Sequence, residues 1–154
     1  MVFGIISSEG DVMPPHFFEK GLRLNSEGYV ALLRDVVVPW IKRVAAGRPY
    51  VFQQDSAPCH TSRTTQKWLS ENMDDYTSPN IWPPNSPDCN PCDFYLWAAV
   101  ERDINRSACN TLAELKNRIT VVFNKLPRDQ VRLACARFRS RLEKIVKVEG
   151  ANFE

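Results

Sequence analysis

The sequence predicts a mixed fold of the α/β or α+β type, with short strands early in the chain and helices later. Apolar or β-branched runs of strand length occur at residues 1–7, 12–18 and 50–53. Apolar residues at helical spacing fill most of the remaining segments, and three such segments follow one another after residue 90. Four prolines between residues 83 and 91 separate these two parts.

The first two strands are expected to pair as a hairpin, because residues 8–11, Ser-Glu-Gly-Asp, have turn chemistry. Pro14 and Pro15 would place the returning strand at a sheet edge or cut it short. A helix should follow, with Asn25 or Ser26 as its N-cap and apolar residues from 29 to 45. Pro39 should kink this helix, and Gly47 should end it.

The next elements are shorter. Residues 50–53, Tyr-Val-Phe-Gln, predict a third strand that runs directly towards Asp55. Thr61 is the expected N-cap of a helix that reaches about residue 72, with Trp68 and Leu69 facing inward. A brief strand is expected at residues 81–82, and irregular chain from 83 to 91.

Three helices are expected in the last third of the chain. One should begin near Pro91, since proline suits a first helical turn. The other two cover 111–124 and 128–148, and Thr111 with Glu114 forms a capping-box pattern at the start of the first of these. The four tryptophans fall on apolar faces and favour core positions over base-stacking platforms: 40, 68, 82 and 97.

Charge is unevenly distributed along the chain, although the net charge is only +2. Residues 101–147 hold 12 of the 20 basic side chains and 5 of the 18 acidic ones. Such a basic block suits a polyanion such as nucleic acid, although a solvated helix surface would show the same pattern. The side chains chosen as weak, nonspecific DNA contacts are Arg102, Arg106, Arg132 and Arg139.

The sequence also carries information on compartment. No run of about 18 apolar residues predicts a membrane span, and the first ten residues lack the features of a secretion signal. The five cysteines are therefore interpreted as reduced thiols of an intracellular protein. Cys89 and Cys92 form a C-x-x-C pair that Cys59 and His60 could complete as a zinc site, but a role as small apolar residues is the simpler interpretation.

Two carboxylates are candidates for metal binding. Asp55 follows the third expected strand, Asp93 lies in the first turn of an expected helix, and 37 residues separate them. Carboxylate oxygens suit Mg²⁺ or Mn²⁺, and two such ions roughly 3.5–4 Å apart can drive phosphodiester chemistry. From spacing alone the alternative is favoured, in which Asp55 caps a turn and Asp93 complements a helix N-terminus.

The segments around these residues change that balance. The segments QQDSAPCHTS and WPPNSPDCNPCDFYLW closely resemble the catalytic core of the mariner superfamily of cut-and-paste DNA transposases. The resemblance extends over essentially the whole chain, and Asp55 and Asp93 match the second and third acids of the branch with 37 residues between them. It implies an RNase H-like fold, a mixed sheet flanked by helices, with a DDE/D active site.

The resemblance implies a set of roles. Asp55 and Asp93 would be catalytic and would bind two Mg²⁺ or Mn²⁺ ions, with His60 and Gln54 near the site. The intact enzyme would cleave DNA at transposon ends and join the 3′-hydroxyl to target DNA in the nucleus, with a homodimer as a possible assembly. In the proline-rich loop, Asp88 and Asn90 are expected to organise the turn rather than bind metal.

One departure from the family pattern is expected to matter. The family's first catalytic aspartate lies on a strand before residue 1, and Glu9 and Asp11 sit in a turn where they cannot replace it. Residues 1–154 are thus expected to be a partial, N-terminally truncated RNase H-like domain, with the sheet and active-site core in 1–100 and a basic helical part in 101–154. On its own the chain should bind Mg²⁺ weakly and not cut DNA. An inactive remnant or domesticated nucleic-acid-binding protein is the alternative, ahead of a different RNase H-like nuclease.

Overall fold

The computed structural model describes residues 1–83 and 87–147. The chain divides into two compact units. The discontinuous unit comprises Met1–Lys20 and Ser86–Glu154, and the central unit comprises Gly21–Asn85. Within the described ranges the strands and α-helices are β1 (Val2–Phe3), β2 (His16–Phe17), α1 (Ser26–Leu32), α2 (Val38–Ala45), α3 (Pro58–Thr61), α4 (Arg63–Asn72), α5 (Ala98–Ile104), α6 (Leu112–Lys125) and α7 (Arg128–Lys147). Two π-helical segments, Leu33–Val37 and Cys92–Trp97, and a 3₁₀ turn, Pro87–Cys89, complete the set.

The central unit begins with an almost continuous helical run. The Asn25 side chain accepts a hydrogen bond from the Gly28 amide at 2.8 Å, so Asn25 is the N-cap. The chain forms the π-helical segment Leu33–Val37 just before Pro39, and this wider turn accommodates the proline ring and its missing amide. The run ends at Ala46, which is left-handed with φ 49°, one residue before the predicted Gly47.

A buried core holds the central unit together. Tyr29, Leu33, Val37 and Leu69 are fully buried, and α1 packs against α4. Burying each such side chain contributes about 1.5–3 kcal/mol to the free energy of unfolding. This apolar packing holds α1 against α4. Leu69 faces inward as predicted, whereas its neighbour Trp68 is only half-buried.

Two predicted strands of the central unit are wrong, and one helix start is shifted. Residues 50–53 form a single parallel bridge, Phe52 with Tyr76, rather than a strand. Residues 81–82 lie in a turn, where Ile81 is 72% exposed. The N-cap of α4 is Ser62, whose hydroxyl accepts from the Thr65 amide at 3.2 Å, because Thr61 already ends the short helix α3.

The discontinuous unit opens with the predicted hairpin, although its strands are shorter than expected. Val2 pairs with Phe17 and Phe3 with His16 in antiparallel register, and a further bridge joins Ile6 to Val12. The two prolines interrupt the returning strand, since they offer no amide to the ladder. In the turn, Ser7 Oγ accepts from the amides of Glu9 and Asp11. The expected turn chemistry is therefore present.

The hairpin packs on the helices of the same unit. Leu96, Val100, Ile119 and Phe123 form the buried core, and apolar hairpin residues pack against it. Gly4 lies so close that an added Cβ would be 3.1 Å from both the Leu96 side chain and the Phe123 ring. The core of this unit therefore depends on residues from both ends of the sequence.

The first residue of helix α7 forms hydrogen bonds to the hairpin turn. This residue, Arg128, donates to the Asp11 carboxylate at 2.7 Å and to the Glu9 carbonyl at 2.9 Å. Gly10 has φ 97°, and an added Cβ there would lie 2.8 Å from the Arg128 carbonyl oxygen. Helix α6 begins with the predicted capping box of Thr111 and Glu114. Val148, the predicted end of α7, lies outside the described residues.

Candidate functional site

Asp55 lies in a tight local arrangement of the central unit. Its Oδ1 is 2.6 Å from Nδ1 of His60 and accepts a hydrogen bond from the Ala57 amide at 3.0 Å. The hydrogen bond from His60 is the main cause that lowers the pKa of the Asp55 carboxyl, partial burial opposes it, and the Ala57 amide lowers it further. The side chain therefore favours the ionised carboxylate that a hard cation requires.

One oxygen of this carboxylate is available to a ligand. Both hydrogen bonds of the Asp55 carboxylate involve Oδ1, and Oδ2 has no hydrogen-bond partner among residues 1–83 and 87–147. The Asp55 side chain is 44% exposed, whereas that of His60 is 14% exposed. His60 thus lies on the inner side of the pair, and Asp55 presents an anionic oxygen to the solvent.

His60 is itself held from several directions. Its ring packs at 4.3 Å, with a 34° tilt, on the ring of Tyr29 from α1. Its backbone carbonyl accepts from the side-chain amides of Gln54 at 3.2 Å and Gln66 at 2.8 Å. These contacts fix the position of the imidazole and, through it, the orientation of the Asp55 carboxylate.

Tyr29 joins this arrangement although no sequence pattern around Asp55 includes it. The Tyr29 hydroxyl donates to Oε1 of Gln54 at 2.6 Å, and its side chain is fully buried. Burial, followed by the charges of Cys59 and Asp55, strongly raises the pKa of the Tyr29 hydroxyl, so it stays a neutral donor. The only sequence signal was its place on the apolar face of a helix.

The structure also separates the two glutamines that precede Asp55. Gln54 is half-buried and bonds both Tyr29 and His60, whereas Gln53 is exposed. The sequence left open which of the two faces the candidate site. Gln54 is the one that lies beside the Asp55–His60 pair.

Asp93 belongs to the discontinuous unit and is positioned by a different set of contacts. It is the second residue of the segment Cys92–Trp97, and it is exposed. Its amide and that of Phe94 both donate to the Asn90 carbonyl, at 2.9 and 3.1 Å. The Asn90 side chain accepts from the Cys92 amide at 2.9 Å, so the expectation that Asn90 organises this loop is confirmed.

Arg141 of α7 holds the chain on both sides of Asp93. Its guanidinium donates to the Asp88 carbonyl at 2.9 Å and lies 3.9 Å from the centre of the Phe94 ring. Stacking over an aromatic face together with a directed N–H bond exploits the planar geometry of arginine. Although it belongs to the basic helical part, Arg141 thus has a structural role next to Asp93.

The structure brings Asp55, His60 and Gln54 together within the central unit. Asp93 lies in the other unit, so the convergence of the two carboxylates remains a prediction. In the described parts of the chain, no group of three or more His, Cys, Asp or Glu side chains could hold a metal ion.

The four predicted DNA-contact arginines are all exposed: Arg102, Arg106, Arg132 and Arg139. Arg139 is 3.2 Å from the Glu143 carboxylate, one helical turn further along α7, which reduces its attraction for an anion. Over the described ranges no helix combines the length and apolar character needed to span a bilayer.

Solved structures identify the fold. The chain aligns with the catalytic domain of Mos1 mariner transposase with a TM-score of 0.83 and 19% identity, over 99% of this chain and 75% of that one. It aligns with a Mos1 paired-end complex with the left transposon end with a TM-score of 0.84 and 20% identity, over 98% of this chain and 44% of that one. The predicted RNase H-like fold is thereby confirmed, with the small two-stranded sheet described above.

Sequence comparison then identifies the relatives. The chain is 28% identical over 122 residues to the Tcb2 transposase of Caenorhabditis briggsae, covering 79% of this chain and 43% of that protein. It is 25% identical over 130 residues to the Tc3 transposase of Caenorhabditis elegans, covering 83% of this chain and 38% of that protein. The chain is homologous to the Tc1/mariner transposases, as the sequence motifs predicted. It spans less than half the length of these curated relatives, and no family model matches it.

Proposed function

We propose that this chain is part of the catalytic domain of a cut-and-paste DNA transposase, with Asp55 and Asp93 as metal-binding carboxylates. The observation that carries the proposal is the state of Asp55. Its carboxylate is held by two hydrogen bonds on Oδ1, its pKa is lowered, and Oδ2 is left for a ligand. An aspartate that only capped a turn would need the hydrogen bond from the Ala57 amide, but it would not need the second hydrogen bond from the His60 ring.

The donor chemistry of this site fits Mg²⁺ or Mn²⁺. Both are hard cations that prefer carboxylate oxygens, and Asp55 and Asp93 supply such oxygens at exposed or half-exposed positions. When bound, two such ions activate the attacking hydroxyl and stabilise the leaving oxygen of a phosphodiester. Mos1 catalytic-domain structures with Mg and with Mn support the choice of metal.

The protein groups around each carboxylate have the task of orientation. His60 keeps Oδ1 of Asp55 engaged, so Oδ2 is the oxygen that would be left to hold a cation. Asn90 and Arg141 fix the backbone that carries Asp93. Preorganised ligands contribute to catalysis because they need no rearrangement when charge develops at the phosphate.

The partners proposed for the whole enzyme are transposon ends and target DNA, with a homodimer as the possible assembly and the nucleus as the place of action. The support for transposon ends as a partner comes from Mos1, which was solved as a paired-end complex with the left transposon end. Since Asp55 and Asp93 are two carboxylates and the family's site uses three, we propose that residues 1–154 alone bind metal weakly and do not cut DNA. An inactive remnant that only binds nucleic acid is the alternative.

Metal titration of the chain tests this proposal. We expect Mn²⁺ bound by residues 1–154, followed by paramagnetic resonance or calorimetry, to be lost in both Asp55→Asn and Asp93→Asn. Asp74→Asn and Asp129→Asn are matched controls, because both carboxylates are exposed and Asp129 also lies in the first turn of a helix. Equal losses in the controls, or binding that survives Asp93→Asn, would contradict the proposal.

Nicking of supercoiled plasmid DNA tests the second part of the proposal, that residues 1–154 alone do not cut DNA. With either metal, residues 1–154 should convert no more plasmid to the open circle than the Asp55→Asn variant does. Strong nicking that Asp55→Asn abolishes would show that the chain is active by itself, and the weak-binding, inactive interpretation would then be wrong.

A further inference from the structure

A basic cleft opens on the discontinuous unit between α5 and α6. Its volume is about 350 Å³, and its apolar wall consists of Ala99, Val122 and Leu126. A water molecule occupies only about 30 Å³ in the liquid, so the cleft has room for a phosphate group with part of its sugar. Its lining also contains Arg102, Arg106 and Lys125.

Within the described part of the chain, the three cations of the basic cleft are not engaged in ion pairs. Arg102, Arg106 and Lys125 are exposed and have no ion-pair partner in residues 1–83 and 87–147. Arg102 lies in the last turn of α5, Arg106 follows four positions later, just past the helix end, and Lys125 is the last residue of α6. The three side chains can therefore converge on one anion.

The acidic residue of the cleft lining is already neutralised. Asp103 Oδ2 is 3.3 Å from Nη2 of Arg118. The same Nη2 donates to the Asp103 carbonyl, and Nη1 of Arg118 donates to the Ser107 carbonyl. This leaves the cations Arg102, Arg106 and Lys125 as the dominant charge of the cleft. A polyanion would gain from all three at once.

Helix dipoles offer a structural explanation that has to be weighed. Arg102 and Lys125 lie in the last turns of α5 and α6, where each helix end carries a partial negative charge of roughly half a unit. Two such ends amount to roughly one negative charge and leave about two positive charges uncompensated. Arg106 lies beyond the end of α5, at Ile104, and is the cation that helix capping explains least.

We propose that the basic cleft formed by Arg102, Arg106 and Lys125 binds the phosphodiester backbone of duplex DNA. The ligand chemistry is that of phosphate oxygens, which a guanidinium recognises through paired N–H donors and an ammonium as a point charge. The inference rests on the proposed function for the identity of the polyanion, but it requires neither metal nor cleavage. It assigns backbone attraction and no base sequence.

DNA binding by residues 1–154 in the presence of EDTA tests the basic cleft. The variants are Arg102→Gln with Arg106→Gln, and the same pair with Lys125→Gln. The matched control is Arg63→Gln with Lys67→Gln, which removes two exposed cations at the same i,i+4 spacing from α4 of the central unit. Thermal unfolding checks that each variant is folded.

We expect the triple variant to bind a random-sequence duplex at least about tenfold more weakly at low salt, and the control less than about twofold. The slope of log K against log[salt] should become shallower by about 0.9 for each DNA phosphate that the variant no longer neutralises. The proposal is overturned if the control loses as much affinity as the cleft variants, or if the unsubstituted chain binds no duplex. Failure of metal binding at Asp55 and Asp93 would remove the catalytic proposal and leave this one standing, so the two failures are distinguishable.

Heparin and inorganic phosphate separate the possible sources of the anion. We expect heparin to compete with DNA at the cleft, whereas millimolar inorganic phosphate should not, because it lacks the linear array of charges. Competition by phosphate at low concentration would indicate a site for a small anion and would overturn the assignment to a DNA backbone.

Discussion

The segments around Asp55 and Asp93 hold their aspartates in contrasting ways. Asp55 is oriented through its own carboxylate, by His60 and the Ala57 amide within five residues. Asp93 is placed through its backbone, by Asn90 nearby and by Arg141, whose partner Asp88 lies 53 positions earlier in the chain. The first arrangement is almost entirely local, and the second depends on a distant helix.

This difference determines which substitutions should displace each carboxylate. Substitutions behind His60 should disturb the direction of the Asp55 oxygens, whereas substitutions on α7 should disturb the position of the whole Asp93 turn. The proposed chemistry needs both, so the two segments can fail independently. The following experiments would break or sharpen this contrast.

The largest effect should come from Tyr29, the fully buried support of His60. We expect Tyr29→Ala to lower the free energy of unfolding by about 3–5 kcal/mol, as for other large aromatic truncations. Tyr29→Phe keeps the ring packing and loses the bond to Gln54, so it should cost about 1 kcal/mol. Chemical denaturation measures both, and equal losses would show that the hydroxyl, not the ring, is what matters.

Arg141→Ala should have the next largest effect, about 2 kcal/mol, because it removes a charged hydrogen bond and the stacking on Phe94 together. The amides of Asp93 and Phe94 should exchange faster with solvent, and Arg141→Lys should restore little of their protection. Arg137→Ala, at an exposed position of the same helix, is the control. Faster amide exchange around Asp55 instead of Asp93 would contradict the claim that Arg141 positions the Asp93 turn.

The Asp55–His60 pair should be worth less, since the carboxylate is more than a third exposed and solvent screens it. A double-mutant cycle of Asp55→Asn and His60→Gln should give a coupling energy between about 0.2 and 1 kcal/mol. The Ala57 amide, which donates to Asp55, should exchange faster in each single variant. A coupling of zero would mean that His60 does not orient the carboxylate.

The smallest effect concerns alkaline pH. Burial raises the pKa of the Tyr29 hydroxyl in the folded protein, whereas in the unfolded chain it ionises near about 10. Only the unfolded state then releases this proton, so stability is retained below pH 10 and falls above it, by less than about 1 kcal/mol at pH 10.5. Tyr29→Phe should flatten this part of the stability curve, although Tyr50 and Tyr95, whose pKa values are also raised, keep some of the slope.

The helices were largely predictable because their signals are local. Asn25, Thr111 and Glu114 mark helix starts through capping hydrogen bonds. Both partners of each bond lie a few residues apart, so a short sequence pattern includes them both. The strand at residues 50–53 was wrong because β structure requires a partner backbone, and local composition does not specify one. Here Phe52 forms one isolated β-bridge with Tyr76, through hydrogen bonds to the backbone of residues 75 and 77.

The candidate site was predictable in part for the same reason. Asp55, Gln54 and His60 lie within seven residues of one another, so their motif could place them together. Tyr29 lies 25 positions before Gln54, and Arg141 lies 53 after Asp88, so packing decides both contacts and no short pattern reports them. The meeting of Asp55 and Asp93 stays a prediction.

The contact between Arg128 and Asp11 joins positions 117 residues apart. The central unit, by contrast, is built from one continuous stretch, Gly21–Asn85. During synthesis on the ribosome, all the residues of the central unit emerge before α7 exists, so we expect it to become protease-resistant first. The hairpin of β1 and β2 must wait for α7 to be made, and trypsin treatment of stalled nascent chains would reveal that delay.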